Sequence, residues 1–252
     1  MYDLLRSRWS YVYFFFYLLL GFVLLFLNND VNKAVITLMN VIIVLTPLIG
    51  TIFGIMYFYN SKEFTELLLA QPIKRSTIFM GQYIGISLSL TLSLVLGLGI
   101  PFIAYGLFRS AAIFDFSLLL VVASFLNFIF VALAFNIALS TENKIKGFGY
   151  AILMWLFLAV VYDGLFLISL IAFNEYPLGK FSLIATMFNP IDLSRILILL
   201  KLDFSALLGY TGAVFKEFFG TTFGMLMSML VLSLWVVLPV LNIKRKLRKK
   251  DF

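Results

Sequence analysis

Long apolar runs, separated by short polar segments, account for most of the chain. A helix crosses the bilayer core with about 20 mainly apolar residues, each adding about 1.5 Å. We expect a transmembrane helix in each of six runs: 9–27, 34–59, 77–108, 116–140, 148–173 and 221–243. The runs are apolar on nearly every helical face, as is typical of helices that contact lipid and other helices. The pattern predicts an all-α integral membrane protein, organised as one domain over 1–252.

Composition supports this class and excludes several kinds of catalysis. Of the 252 residues, 63% are hydrophobic and 12% are charged, against about 45–50% and about 25% in soluble domains. The sequence contains no cysteine and no histidine, which excludes disulfides, Cys/His zinc sites and nucleophile–histidine pairs. It also contains no GxxxxGK[ST] phosphate-binding motif. We therefore expect no enzyme, no catalytic residue, and no metal or cofactor bound by this chain itself.

Basic residues are distributed unequally between the two sides of the predicted bundle. Thirteen of the nineteen Lys and Arg residues fall on the side that holds both termini. Because positive charge favours the cytoplasmic side of a membrane, both termini are predicted to be cytoplasmic. The basic tail KRKLRKK is interpreted as a lipid-headgroup anchor and not as a nucleic-acid site.

The polar segment EFTELLLAQPIKRS lies between the second and third runs, on the predicted cytoplasmic side. On a helix, Phe64, Leu67 and Leu68 form one apolar stripe, at positions i, i+3 and i+4. Glu63 and Glu66 lie near the helix start, where the helix dipole favours carboxylates. Two interpretations stay open for this amphipathic helix: it lies on the membrane surface, or it docks into a groove on a partner.

The end of this segment predicts a sharp turn. Gln71 precedes Pro72, and a residue before proline is biased away from helical conformation. The helix is therefore predicted over about 62–71. Ser76 is then expected to cap the third transmembrane helix.

One acidic residue lies inside a predicted transmembrane helix. A charge at the bilayer centre costs at least about 2.5–3.5 kcal/mol on insertion scales, so Asp163 in the fifth run is a candidate functional residue. It could line a translocation path, bind a cation or take up a proton. The alternative is a protonated carboxyl group that hydrogen bonds to Asn127 or Asn136, because no Lys or Arg lies in any predicted transmembrane helix to pair with it.

The long segment between the fifth and sixth runs is predicted to lie outside the membrane or in its outer surface. Asn189 can cap a helix that begins at Pro190. Asp192 would lie in the first turn of this helix and pair with Arg195 at i, i+3. The helix is too short to cross the bilayer, so we expect a re-entrant or interfacial hairpin completed by 204–219. Its surface is a candidate docking site for an extracytoplasmic partner, although capping alone also explains these residues.

Four stretches of the sequence resemble one class of membrane protein: EFTELLLAQPIKRSTIFMGQYIG, WLFLAVVYDGLFL, FNPIDLSRILIL and LGYTGAV. Together with the six runs they resemble the type-2 ABC exporter permeases. Within that class they resemble the permeases that serve copper-site maturation of nitrous oxide reductase. Alternatives within the class are a permease for another small solute and a mechanical transmitter that moves no solute.

The resemblance implies a homodimer in the bacterial cytoplasmic membrane, joined to two cytoplasmic ATPase subunits that hold ATP and Mg²⁺, and to a NosD-like extracytoplasmic protein. It implies export of a small species, with sulfur favoured over copper, or mechanical work on the outer partner. The amphipathic helix would be the coupling helix that contacts the ATPase. The contact residues carried over from the class are Glu63, Phe64, Glu66, Leu67, Leu68, Gln71 and Arg75.

Overall fold

The computed structural model describes residues 8–28, 30–110, 112–173, 178–201, 215 and 217–249. This part of the chain is helical and contains no strand. Six of its helical elements are long and apolar enough to cross a membrane. The predicted all-α membrane fold with six candidate transmembrane helices is confirmed.

Five of the candidate transmembrane elements are single helices: α1 (Arg8–Asn28), α2 (Val31–Asn60), α4 (Arg75–Ala104), α5 (Ile113–Ser140) and α10 (Thr222–Lys249). The fifth element along the chain is a composite of α6 (Lys144–Leu156), a π-helical turn (Phe157–Val161) and α7 (Tyr162–Ala172). The shorter elements are α3 (Lys62–Leu69), a 3₁₀ turn (Leu107–Arg109), α8 (Gly179–Met187) and α9 (Pro190–Lys201). The observed helices contain most of each predicted run, and their ends, some of which are set by polar caps, differ from the predicted bounds by a few residues. Asp30, for example, accepts a hydrogen bond from the Asn32 amide at 2.9 Å and starts α2.

Helix α5 lies at the centre of the bundle and packs against α2, α4, α6, α9 and α10. Its side chains Leu126, Phe130 and Phe135 are fully buried. Helix α2 approaches it closely at Gly54, where an added Cβ would lie 2.9 Å from the Cβ of Ala134. Small residues at such positions let helices in a membrane gain van der Waals contact along their backbones.

The composite fifth element and α10 form the outer part of the bundle. Their apolar side chains Leu153, Leu167, Ile171 and Leu238 are all more than half exposed. In a membrane protein, such side chains contact lipid or another membrane subunit. The bundle thus has a close-packed centre and a largely uncovered apolar side.

Helices α8 and α9 form a bent pair, with an angle of 115° between them. Helix α8 of this pair accepts two side-chain hydrogen bonds from the bundle. Tyr162 donates to the Ala185 carbonyl at 2.6 Å, and the Trp235 indole donates to the Met187 carbonyl at 3.1 Å. Helix α8 was not predicted from the sequence, and the second arm of the predicted hairpin, 204–219, lies mostly outside the described residues.

The prediction that Ser76 caps the third transmembrane helix is wrong. Helix α4 begins two residues earlier than predicted, at Arg75, and its cap position is Lys74. The backbone of Lys74 is extended, and its side chain makes no capping hydrogen bond. The turn after Pro72 therefore ends sooner than expected, and the helix starts without a side-chain cap.

Candidate functional site

Helix α3 follows α2 almost directly and contacts the bundle through one buried residue, Thr65. The Thr65 hydroxyl donates to the Ser61 carbonyl at 2.7 Å and accepts from the Gln82 amide of α4, also at 2.7 Å. Observed from Lys62 to Leu69, the helix ends two residues before the predicted boundary. A side-chain hydrogen bond thus connects α3 to α4.

The outward surface of α3 is apolar and acidic. Phe64 is 60% exposed and Leu67 is 69% exposed, whereas Leu68 is half-buried. Glu63 and Glu66 are exposed beside them. The predicted stripe is therefore only partly directed inward, and two large apolar side chains remain uncovered. Gln71 and Arg75, in the turn that follows and at the start of α4, are also exposed.

A cluster of charged side chains joins α7 to α9. Arg195 donates a hydrogen bond to Asp163 at 2.5 Å and lies 3.5 Å from the Asp192 carboxylate. The Asp163 and Arg195 side chains are 28% and 31% exposed, whereas Asp192 is buried. The predicted i, i+3 pair of Asp192 and Arg195 is present, but the shorter contact of Arg195 is with Asp163.

The alternative interpretation of Asp163, a carboxyl group without a basic partner that bonds to Asn127 or Asn136, is therefore wrong. Asn136 donates instead to the carbonyls of Ala132 and Pro239, at 2.9 and 2.8 Å. The basic partner of Asp163 comes from the bent pair and not from a transmembrane helix, so a search restricted to the predicted transmembrane helices could not find it.

Asn189 holds the start of α9 against the π-helical turn. Its side-chain oxygen accepts from the Ile191 amide at 3.0 Å, which is the predicted N-cap. Its side-chain nitrogen donates to Asp192 at 2.8 Å and to the Leu158 carbonyl, within the π-helical turn, at 2.7 Å. Pro190 is the first helical residue, as predicted. The cap therefore also fixes α9 to the fifth transmembrane element.

This cluster contains more carboxyl groups than basic groups. Asp163 and Asp192 provide two carboxyl groups, and Arg195 provides one guanidinium group. The Oδ1 atom of Asp192 is buried and accepts no hydrogen bond from the described residues. A single cation thus serves two carboxyl groups in a partly buried site, which makes the arrangement sensitive to the loss of Arg195.

We expect replacement of Asn189 to separate its two roles. Asn189→Ala removes the cap and both donated hydrogen bonds, so the free energy of unfolding should fall by about 2–3 kcal/mol. Asn189→Ser keeps a capping oxygen but cannot reach both acceptors, so a fall of about 1–2 kcal/mol is expected. Unfolding in mixed detergent micelles measures both. If Asn189→Ser is as stable as the wild type, the hydrogen bonds to Leu158 and Asp192 contribute nothing to the free energy of unfolding.

The fold and these features define a multi-pass helical membrane protein with an exposed amphipathic helix at the end of its second transmembrane element. No family model matches the chain. The chain is similar to the protein described as "Probable ABC transporter permease protein NosY" from Stutzerimonas stutzeri, with 28% identity over 179 residues. The similar region is 69% of this chain and 58% of that protein, so it spans less than two thirds of the relative. The resemblance to a NosY-like ABC permease, inferred from the sequence motifs, is confirmed by this likeness.

Proposed function

We propose that the protein is the transmembrane permease subunit of an ABC transporter, driven by a separate ATPase that binds α3. The likeness to NosY supports the permease class. The exposed surface of α3 supports the ATPase contact, because Phe64 and Leu67 offer apolar anchors flanked by the carboxylates of Glu63 and Glu66. Anchors of this kind, set in a polar surround, carry most of the binding energy in protein interfaces.

The packing provides a route from α3 to the opposite end of the bundle. Helix α2 has 30 residues and is about 45 Å long. It is joined to α3 at one end through Ser61, and it packs directly against α9. Helix α9 is in turn joined to α7 by the Arg195–Asp163 ion pair. A displacement of α3 would therefore reach the bent pair through rigid, contiguous elements.

The resemblance supports a more specific assignment. We infer a homodimer in the bacterial cytoplasmic membrane, with both termini in the cytoplasm and the bent pair on the outer side. Two ATPase subunits would bind ATP and Mg²⁺, and a NosD-like protein would bind outside. The process served would be copper-site maturation of nitrous oxide reductase, through export of a small, sulfur-containing species.

The ion-pair cluster favours a second candidate within the same complex: mechanical work on the outer partner without passage of a solute. Asp163, the acidic residue of the fifth transmembrane element, is paired with Arg195 of the bent pair. In this arrangement it fastens two elements together. The two candidates differ in the expected behaviour of two variants. If Arg195→Gln loses function and the double variant Asp163→Asn/Arg195→Gln keeps full function, the cluster needs balanced charge along a translocation path. That result would argue against a mechanical link.

The ATPase contact is tested by affinity capture of candidate ATPase subunits from the same genome. Glu66→Arg/Leu67→Asp should reduce capture at least about tenfold, since loss of an interface anchor costs about 2 kcal/mol or more. Ile145→Asp is the matched control, because Ile145 is an 83% exposed apolar residue at the start of α6, outside the proposed contact. The control should keep wild-type capture. Failure of the wild type to capture any ATPase, or equal capture by the α3 variant, would overturn the proposal.

A further inference from the structure

A cavity of about 390 Å³ lies beneath α3. The helix forms one wall through Thr65 and Leu69, and the opposite walls come from the last turn of α2, the start of α4 and the end of α5. Cavities that hold small ligands in proteins usually measure about 300–1,000 Å³. The space between α3 and the bundle is therefore large enough for a small organic molecule.

The inner surface of this cavity is apolar and partly aromatic. Phe58 and Phe79 lie against each other in a stacked arrangement, with ring centroids 5.7 Å apart and planes at 26°. Ala138 and Leu139, both buried, complete this surface. Such a lining suits an aromatic or alkyl group, and the faces of aromatic rings also attract cations.

Among the residues that line the cavity, acidic side chains outnumber basic ones. Its charged side chains are Lys62, Glu66 and Glu142, all of them exposed. Lys62 lies 3.9 Å from Glu66, so these two charges offset each other. Glu142 forms no ion pair with any of the described residues. A molecule that enters the cavity thus meets one carboxylate without a counter-charge above an apolar floor.

We propose that this cavity binds a small amphipathic cation, a molecule with one ammonium group on an aromatic or short alkyl body. The ammonium group lies at the rim beside Glu142, and the apolar body packs against the wall formed by Phe58, Phe79 and Leu139. The Thr65–Gln82 hydrogen bond connects α3 to α4 above this cavity. A bound molecule would therefore add contacts between α3 and the bundle. The aromatic wall and Glu142 lie outside the proposed contact between α3 and an ATPase, whereas Glu66 belongs to both sites.

The charge preference of the cavity can be measured with a single cysteine, because the natural sequence contains none. Ala138→Cys places a thiol in the cavity wall, and Thr222→Cys places one at the exposed start of α10 as a control. Methanethiosulfonate-ethylammonium should react with the cavity thiol at least about fivefold faster than the ethylsulfonate reagent, relative to the control, since one nearby carboxylate contributes about 1 kcal/mol even in water. Glu142→Gln should abolish that preference.

Ligand binding is tested by protection of the same thiol from the neutral reagent methyl methanethiosulfonate. We expect 2-phenylethylammonium to slow the reaction at least about fivefold at saturation, and 3-phenylpropanoate at the same concentration to have no effect. Leu139→Cys, at the next position in the wall, serves as a second reporter if Ala138→Cys does not fold. Equal protection by the cation and the anion, protection by neither, or a reagent preference unchanged by Glu142→Gln would each overturn the proposal.

Discussion

Replacement of Arg195 with glutamine is expected to lower the free energy of unfolding by about 3 kcal/mol. Removing one partner of a buried ion pair typically costs about 3–5 kcal/mol, because the remaining charge is left without compensation. Here two carboxyl groups are affected, since Arg195 contacts both Asp163 and Asp192. Partial exposure of Asp163 to solvent keeps the expected cost at the lower end of that range.

Unfolding in mixed detergent micelles, monitored by circular dichroism, measures this loss. The double variant Asp163→Asn/Arg195→Gln should recover at least half of it, because the remaining carboxyl group, Asp192, still accepts a hydrogen bond from Asn189. Lys62→Gln is the matched control, because it breaks an exposed pair that contributes at most about 0.5 kcal/mol. A double variant less stable than Arg195→Gln would contradict the charge-balance explanation.

Replacement of Gly97 with alanine is expected to destabilise the protein by about 2 kcal/mol, by forcing two transmembrane helices apart. An added Cβ would lie 2.7 Å from the Cβ of Tyr17 and 2.9 Å from the carbonyl oxygen of Phe14. The second atom belongs to the backbone of α1, so a side-chain rotation cannot relieve the contact. Overpacking at such a site typically costs about 1–3 kcal/mol.

Gly99→Ala provides the comparison, because in the described part of the chain no atom beyond the local helix backbone lies within 4 Å of the position that its Cβ would occupy. Alanine favours a helix over glycine, so this variant should be as stable as the wild type or slightly more stable. The midpoints of thermal unfolding in detergent micelles distinguish the two variants. Equal midpoints would show that α1 and α4 separate without cost and that their close approach does not hold the bundle together.

Predictions that rest on local sequence agree well with the structure. Each transmembrane element contains a long apolar run, because the lipid environment requires one wherever a helix crosses the bilayer. The cap at Asn189, the helix start at Pro190 and the pair of Asp192 and Arg195 are also local, since all of them lie within one or two helical turns. For such features, sequence spacing alone specifies the geometry.

Predictions that required knowledge of distant contacts succeeded less well. The ion pair joins Asp163 and Arg195, which are 32 positions apart on separate helices, and no periodic pattern specifies that distance. The small residues at 81, 85, 89, 93 and 97 indicate close packing of α4, but they do not identify its partner. In the structure an added Cβ at Gly97 would meet α1, whereas one at Gly81 would have no described residue within 4 Å beyond its local helix backbone.

The π-helical turn at Phe157–Val161 has a consequence for the comparison of this chain with its relatives. A π turn holds one more residue than an α-helical turn, and each residue of a helix rotates its successors by about 100°. Asp163 therefore faces Arg195 only because that additional residue precedes it. In a homologue with an uninterrupted α-helix, the equivalent carboxylate would occur one position earlier. An alignment of this chain with such a homologue needs a one-residue gap between 157 and 161. Without the gap, the carboxylate that pairs with the arginine would be missed, and the ion pair would be judged absent in the homologue.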